Sequence, residues 1–294
     1  MRSTIVFLDW DSTLTTSSTL PLIASIASWP DEHPLLKHLS TQYMSDLDSH
    51  DDIYPTPSHM RTSLDQESQY LASLGPIEKR SIDRIESLGL LKNVTASTIH
   101  DVAADMTNNG KFVLRDGWME FLSTTKPVVH IISVAWSAEF IKAALCQSWD
   151  KAYQPPYVPT VYANEIDPVG SGKVIGCGSR AGQRLLTAQN KQQVMQRAVA
   201  EYLRSESASS VRTVYIGDSN TDLLCLLNAD VGICIRDSPM SDEQMQLNST
   251  LKRLKINTKS VGTYVTHTSD ISNGTKPIWV AKDFNEIMRS GLIK

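Results

Sequence analysis

The stretch Ile5-Val6-Phe7-Leu8-Asp9-Trp10-Asp11-Ser12-Thr13 decides the fold. Four apolar residues make a brief strand buried on both faces, and the run stops on two carboxylates. Runs of the same kind recur at 128–132, 214–216, 231–235 and 278–281. Helical patterns separate them. Ser137 can cap a helix that carries Phe140, Ile141, Ala144 and Leu145. Residues 191–203 place Val194, Met195, Ala198, Val199 and Leu203 at helical spacing, and 222–227 continues helically after Gly217. Alternating strand and helix predicts an α/β fold, a doubly wound and mainly parallel sheet with right-handed crossovers.

Residues 16–112 break this rhythm. Helical patterns run through 20–27, 60–74, 77–91 and 96–106, with no clear strand. The expected organisation is a core of 1–15 and 113–294 with a small helical cap, 16–112, inserted after the first strand. The acidic, two-proline segment 45–59 reads as a solvated loop in preference to a metal site made by Asp46, His50 and Asp52. Residues 161–176 alternate about a glycine-rich turn and predict a β-hairpin. Residues 237–275 are polar and carry no period.

Composition narrows the function. The 294 residues correspond to one or two domains at roughly 150 residues each. A net charge of -4 argues against a sequence-independent grip on nucleic acid or an anionic membrane. The longest apolar runs fall short of the ~20 residues of a membrane span. Four cysteines, Cys146, Cys177, Cys225 and Cys234, form no CxxC pair and read as free thiols in a reducing compartment. The N-terminal apolar segment is too short for a signal peptide, so the expected location is cytoplasmic, with the nucleus left open.

Three strands end in reactive polar groups: Asp9 and Asp11, then Ser133, then Asp218 and Asp222 in Gly217-Asp218-Ser219-Asn220-Thr221-Asp222. In open α/β sheets the carboxyl ends of strands form the ligand crevice, so these groups can converge. Carboxylates brought close need a cation between them or a raised pKa. Mg2+ suits such a site, since it takes one or two carboxylates and keeps waters. Lys191, at the start of a helix, can reach the same crevice and neutralise a phosphate. Ser133 offers a hydroxyl, and the backbone around Val134 adds N–H donors.

In this order, DWDST, a strand-end serine, a lysine and GDSNTD, the chain resembles the haloacid dehalogenase superfamily of phosphotransferases. The resemblance implies that Asp9 is the nucleophile that forms an aspartyl-phosphate. It implies that Asp11 is the general acid and base, and that Mg2+ binds to Asp9, the Asp11 carbonyl and Asp218. Thr13, Ser133 and Lys191 would hold phosphoryl oxygens, and Asp222 would orient water or Lys191. The 16–112 insert resembles the cap of the phosphoserine-phosphatase-like branch, but Ser133-Val134-Ala135-Trp136 departs from that branch's usual Ser-Gly-Gly.

The segments VHIISVAWSAEFIKAA, VYANEID, NKQQVMQ and VYIGDSNTDLLCLLNADVGICI are more similar to the phosphatase half of plant bifunctional thiamine monophosphate phosphatases and their fungal single-domain relatives. A thiazolium ring is a flat cation and favours aromatic faces. Trp10 and Trp136, with Trp118, are the candidate faces, and Asn164 is a candidate neighbour of the site. The expected function is a phosphatase for a small phosphomonoester, thiamine monophosphate first. Pyridoxal phosphate, phosphoserine or a nucleotide is the alternative substrate, and a non-catalytic regulatory protein of the same fold is the alternative function.

Overall fold

The computed structural model describes residues 3–26, 34–124, 128–149, 158–177, 183–264 and 276–293. The chain enters through β1 (Thr4–Leu8) and then runs through five helices: α1 (Leu20–Ser25), α2 (Pro34–Ile53), α3 (Leu64–Ser73), α4 (Gly75–Ser87) and α5 (Ala96–Asn108). It continues with α6 (Trp118–Thr124), β2 (Val128–Ile132), α7 (Ala138–Ser148), β3 (Thr160–Tyr162), β4 (Glu165–Ile166), β5 (Val174–Ile175) and α8 (Ala188–Ser205). The last third holds β6 (Arg212–Gly217), α9 (Leu223–Asn228), β7 (Val231–Ile235), α10 (Asp242–Arg253), β8 (Thr258–Ser260), β9 (Ile278–Ala281) and α11 (Phe284–Ser290).

Seven strands form one sheet in the order β3-β2-β1-β6-β7-β9-β8, and every neighbouring pair is parallel. Successive side chains of a strand point to opposite faces, and here both faces are covered. Val6 and Leu8 join Val129, Ile131, Val214 and Ile216 in one apolar cluster with Phe121, Phe140 and Phe284. Ile5 and Phe7 join Ile132, Tyr215 and Cys234 in the other, with Val194, Met195, Leu223 and Leu247. The continuous apolar runs of the sequence are therefore the strands of a two-sided α/β sheet. Leu8 lies opposite Ile131 on one side and Ile216 on the other. The three strands thus end at the same level, with Asp9, Ser133 and Asp218 just beyond.

Among the described residues, 16–112 holds helices and no strand. The segment leaves and re-enters the core through a narrow neck. Thr15 bridges Leu114, the Thr16 N–H donates to the Val113 carbonyl at 2.9 Å, and the Arg115 N–H donates to the Leu14 carbonyl at 2.8 Å. The insert nonetheless shares the core: Ile82, Ile85, Val94 and Ile99 belong to the same apolar cluster as Val6 and Leu8.

Three sequence expectations need correction. Residues 45–53 are the second half of α2, not a loop; the prolines at 55 and 57 follow the helix instead of breaking it. One of its acids faces cations on α4. Asp46 pairs with Arg80 at 3.1 Å and Arg84 at 2.6 Å, and the His50 ring bonds the Ser73 hydroxyl, which removes the weighed metal trio. Thr160–Tyr162 pairs in parallel with β2, so the hairpin is confined to the antiparallel β4 and β5. Within 237–275, α10 is a capped helix: Ser241 and Gln244 form a capping box, and Lys252 and Arg253 close its last turn. Residues 265–275 lie outside the described residues. No described helix is long and apolar enough to cross a membrane.

The far end of the insert is tied to α10 by charge. Glu67, buried on α3, accepts from Arg61 at 2.9 Å and from Arg253 at 2.6 Å, and the Arg253 Nε donates to the Arg61 carbonyl at 2.9 Å. Glu67→Gln keeps the volume but leaves two partly buried guanidinium groups without a countercharge. Stability should fall by about 3 kcal/mol, read from urea unfolding at neutral pH.

Candidate active site

The Asp9 N–H is fixed by the Ile216 carbonyl at 2.9 Å, one last sheet bond past the end of β1. The chain then turns sharply. Ser12 sits at φ +55°, a left-handed conformation uncommon for a residue with a Cβ. The turn is held from within by Thr15, whose Oγ1 accepts the Ser12 N–H at 3.1 Å and donates to the Ser17 carbonyl at 2.7 Å. It is held from behind by Arg115. This buried guanidinium donates to the carbonyls of Ser12 (2.7 Å), Thr13 (2.9 Å) and Lys282 (3.1 Å), and it pairs with Asp237.

Lys191 lies in the first turn of α8, which a Thr187–Asn190 capping box starts at that point. Its side chain is fully buried, and Nζ lies 2.8 Å from Asp9 Oδ1 and 2.8 Å from Asp222 Oδ1. Asp222 is saturated. Its Oδ1 also accepts the Tyr215 hydroxyl at 2.7 Å, and its Oδ2 accepts the Asp218 and Ser219 N–H groups and the Ser219 hydroxyl, each at 3.1 Å. Gly217 makes room for this: a Cβ there would stand 2.5 Å from the Asp222 Cγ. Asp222 positions Lys191 and the Gly217–Ser219 turn, and it has no oxygen left for a metal.

Asp9, Asp218 and Asp222 bring one carboxylate oxygen each within 4.8 Å of one another. Asp9 commits Oδ1 to Lys191, and Asp218 commits Oδ1 to Thr13 at 2.8 Å. The other oxygen of each has no hydrogen bond among the described residues. This hard-oxygen pair, buried and short of positive charge, fits Mg2+. Burial pushes the Asp218 carboxyl up to about 7, with the Asp222 charge adding to it, and burial followed by Asp222 raises Asp9 well above the usual range. Burial opposes the charged form of Lys191, but Asp222 and Asp9 outweigh it and hold the ammonium more firmly than in water. Burial also raises Asp11, against the opposing bonds from Thr19, and this favours an acid that carries a proton.

The other expected site residues fall into two groups. Ser133 is buried at the end of β2, where its Oγ accepts the Ala135 N–H at 3.1 Å, and Val134 and Trp136 are half-buried beside it. Thr13 donates its hydroxyl proton to Asp218 Oδ1 at 2.8 Å, which takes that donor away from a phosphoryl oxygen. Trp10 is also corrected: its ring is fully buried against Phe112 and its Nε1 donates to Thr19 Oγ1 at 3.0 Å, so it presents no free face. Trp118 packs on Trp149, with ring centroids 4.8 Å apart. Asn164 is buried and acts as a brace. Its Nδ2 donates to the carbonyls of Val134 (3.2 Å), Ala135 (3.3 Å) and Leu185 (2.9 Å), and its Oδ1 accepts the Leu185 N–H at 2.7 Å. It thereby ties the Ser133 loop to the segment entering α8.

Sequence reasoning missed Arg115, Tyr215 and Thr19. Thr19 takes part through its N–H and hydroxyl, which hold Asp11 Oδ1 at 2.5 and 2.7 Å. Tyr215 carried a signal: it sits within a β-strand of aliphatic residues, three positions before Asp218. Arg115 and Thr19 have no local signature.

No family model matches the chain. A fission yeast CTO1 family protein is 26% identical over 250 residues, spanning 80% of this chain and 82% of that protein. Cold tolerance protein 1 of Saccharomyces cerevisiae is 21% identical over 94% of this chain and 90% of its own. The bifunctional TH2 protein of Arabidopsis thaliana is 27% identical over 57% of this chain, which is 26% of its own length. Among solved structures, a substrate-bound phosphoserine phosphatase complex superposes with a TM-score of 0.46 at 15% identity, over 86% of this chain and 98% of that one. Asp9, Ser133, Lys191 and Asp218 all sit at the carboxyl ends of β1, β2 and β6 or at the helix start that faces them.

Two outcomes test this geometry. In Gly217→Ala the added methyl must displace Asp222, and with it Lys191, by a fraction of an ångström to an ångström. Any catalysis by this site should fall by about 100-fold in rate, with little change in the far-UV spectrum. The acids give the second. Asp9 and Asp218 have raised folded pKa values, so the stability they contribute is present at low pH and lost as pH rises through those values. Asp222 is lowered, chiefly by Lys191 working against burial, and has the opposite sign, but its window lies below the usual carboxylate range. Metal-free protein should therefore lose stability from about pH 5 to about pH 8, and Mg2+ should raise the melting temperature more at pH 8 than at pH 5.5. Equal shifts at both pH values would contradict the assignment.

Proposed function

We propose that this chain is a Mg2+-dependent phosphatase for a small phosphomonoester, acting through an aspartyl-phosphate on Asp9. The observation that carries the reading is the buried Lys191 held 2.8 Å from both Asp9 and Asp222 at the ends of β1 and β6, beside Asp218. Asp9 attacks phosphorus, and the bond to the leaving oxygen breaks. Asp11, raised by burial and steered by Thr19, gives that oxygen its proton. Asp11 then takes a proton from water as the water attacks phosphorus, which frees phosphate and restores Asp9. Lys191 offsets negative charge on the nucleophile side, and Ser133 supplies a hydroxyl on the far side of the phosphoryl group. Bound Mg2+, held by Asp9 and Asp218 and by the Asp11 carbonyl, would supply electrostatic stabilisation of the transferring group.

Thiamine monophosphate is the preferred substrate. The reading rests on the sequence segments shared with thiamine monophosphate phosphatases and on Trp136. That ring follows Ser133 by three residues and is half-buried against the apolar core, and its exposed part is the face proposed for a flat cation. Trp10 drops out as a second face because it is fully buried.

The decisive experiment is phosphate release from thiamine monophosphate, pyridoxal phosphate, phosphoserine and nucleotides, with Mg2+ and with chelator. Thiamine monophosphate should be turned over fastest, and chelator should abolish the activity. Asp9→Asn should remove turnover while leaving the melting curve close to that of the wild type. Full activity in chelator or in Asp9→Asn would reject the phosphatase reading. Trp136→Leu should lower kcat/KM for the thiamine ester by about two- to thirty-fold and leave a neutral aryl phosphate nearly unchanged. Equal losses on both would make Trp136 a packing residue.

A further inference from the structure

Beyond Asp218, toward the β8 edge of the sheet, the carboxyl ends of β7, β9 and β8 frame an open groove of about 380 Å³. Arg236, Lys259, Ser260, Lys282 and Glu286 line it. Arg236 is the first residue after β7, and its N–H is fixed by the Ala281 carbonyl at 2.9 Å. Its guanidinium lies beside the Cys234 thiol, and among the described residues its Nε and Nη2 are shielded from solvent with no nitrogen or oxygen partner. Arginines elsewhere in the fold differ. Arg61 pairs with Glu67, Arg115 with Asp237, Arg184 with Glu86 and Arg253 with Glu67. A guanidinium cannot shed its proton in a protein, so unpaired enclosed donors carry the full cost of lost hydration.

The acids around the groove do not relieve that cost. Glu286 Oε2 accepts the Lys282 N–H at 2.9 Å, and Asp283 caps α11 and lies 3.6 Å from Lys282 Nζ. Asp237, the next residue in the chain, is engaged by Arg115 and by the Gln244 amide. Three cations therefore line the groove against one carboxylate. A planar fork of donors flanked by lysines matches an oxyanion with two or more acceptor oxygens. The arrangement stands apart from the crevice of Asp9 and Ser133, whose lysine is already neutralised by two carboxylates.

We propose that this groove is a second anion site, which takes a phosphate-class oxyanion against Arg236 with Lys259 and Lys282 at its rim. The floor of the site is continuous with the active-site turn: the Lys282 carbonyl and Asp237 both accept from Arg115, which holds Ser12 and Thr13. The same chemistry is offered by free phosphate and by a phosphate carried on an organic molecule.

The test is titration of the metal-free, chelator-treated full chain with inorganic phosphate, and separately with phenylphosphonate, followed by backbone amide NMR. Saturable shifts are expected at Arg236, Ser260 and Lys282. Tighter binding of phenylphosphonate would point to an organic carrier, and tighter binding of phosphate to the free anion; either supports the site. Arg236→Gln should weaken binding by about tenfold or more, from loss of a charge-assisted pair. Lys259 is exposed, so Lys259→Gln keeps the fold and should weaken it by a smaller factor. Ser133→Ala, which alters only the catalytic crevice, should leave these shifts intact. The proposal is overturned if the groove amides do not respond, if their response survives both Arg236→Gln and Lys259→Gln unchanged, or if Ser133→Ala abolishes it.

Discussion

A lysine ammonium buried between two aspartates is the constraint on which the site depends. Lys191 Nζ sits 2.8 Å from Asp9 and 2.8 Å from Asp222 with no exposure to water. Three desolvated charges are tolerable only when each is paired and its remaining bonds are filled. Asp222 meets that condition through Tyr215, Ser219 and two backbone N–H groups. Asp9 does not: Lys191 satisfies one of its oxygens, and the other has no hydrogen bond among the described residues. Two similar carboxylates thus differ, one saturated by hydrogen bonds and one half-free, and the proposed nucleophile is the half-free one.

The same asymmetry appears in the turns that carry them. The Gly217–Asp222 turn is closed by its own capping box, and Gly217 lets Asp222 fold back under it. The Asp9–Thr13 turn holds a left-handed Ser12 and is braced from outside. Arg115, arriving just after the neck of the insert, collects the carbonyls on its back. The residue that steadies the Asp9–Thr13 turn is therefore also the point at which the helical segment rejoins the sheet.

The insert meets the core in two ways. Near the neck it contributes Val94, Ile99 and Ala103 to an apolar cluster shared with the strands. Farther out, polar ties dominate. Arg184 pairs with Asp83 and Glu86, the Gln189 amide donates to the Ser68 carbonyl, and Arg253 pairs with Glu67. Apolar contact is non-directional and sets the position of the segment, whereas the ionic ties are directional and set its orientation.

What the amino-acid sequence determined by itself was local and periodic. Five β-branched runs specified five of the seven sheet strands, because a strand covered on both faces must be apolar at every position. The carboxylates that end two of those runs, the serine that ends a third and the helix-start lysine placed the crevice, because parallel strands deliver their carboxyl ends to one edge. Tertiary structure decided what depends on partners far along the chain. Residues 45–53 became helix because α4 supplies Arg80 and Arg84 to Asp46, more than thirty positions away. Thr13 turned toward Asp218, Trp10 turned into the core, and Asn164 became a brace, because the groups that claimed their hydrogen bonds or faces come from other elements. Arg115 could not be read at all. A guanidinium that gathers carbonyls from 100 or more positions away has no periodicity and no neighbouring motif, and only the folded chain gives it its bonds.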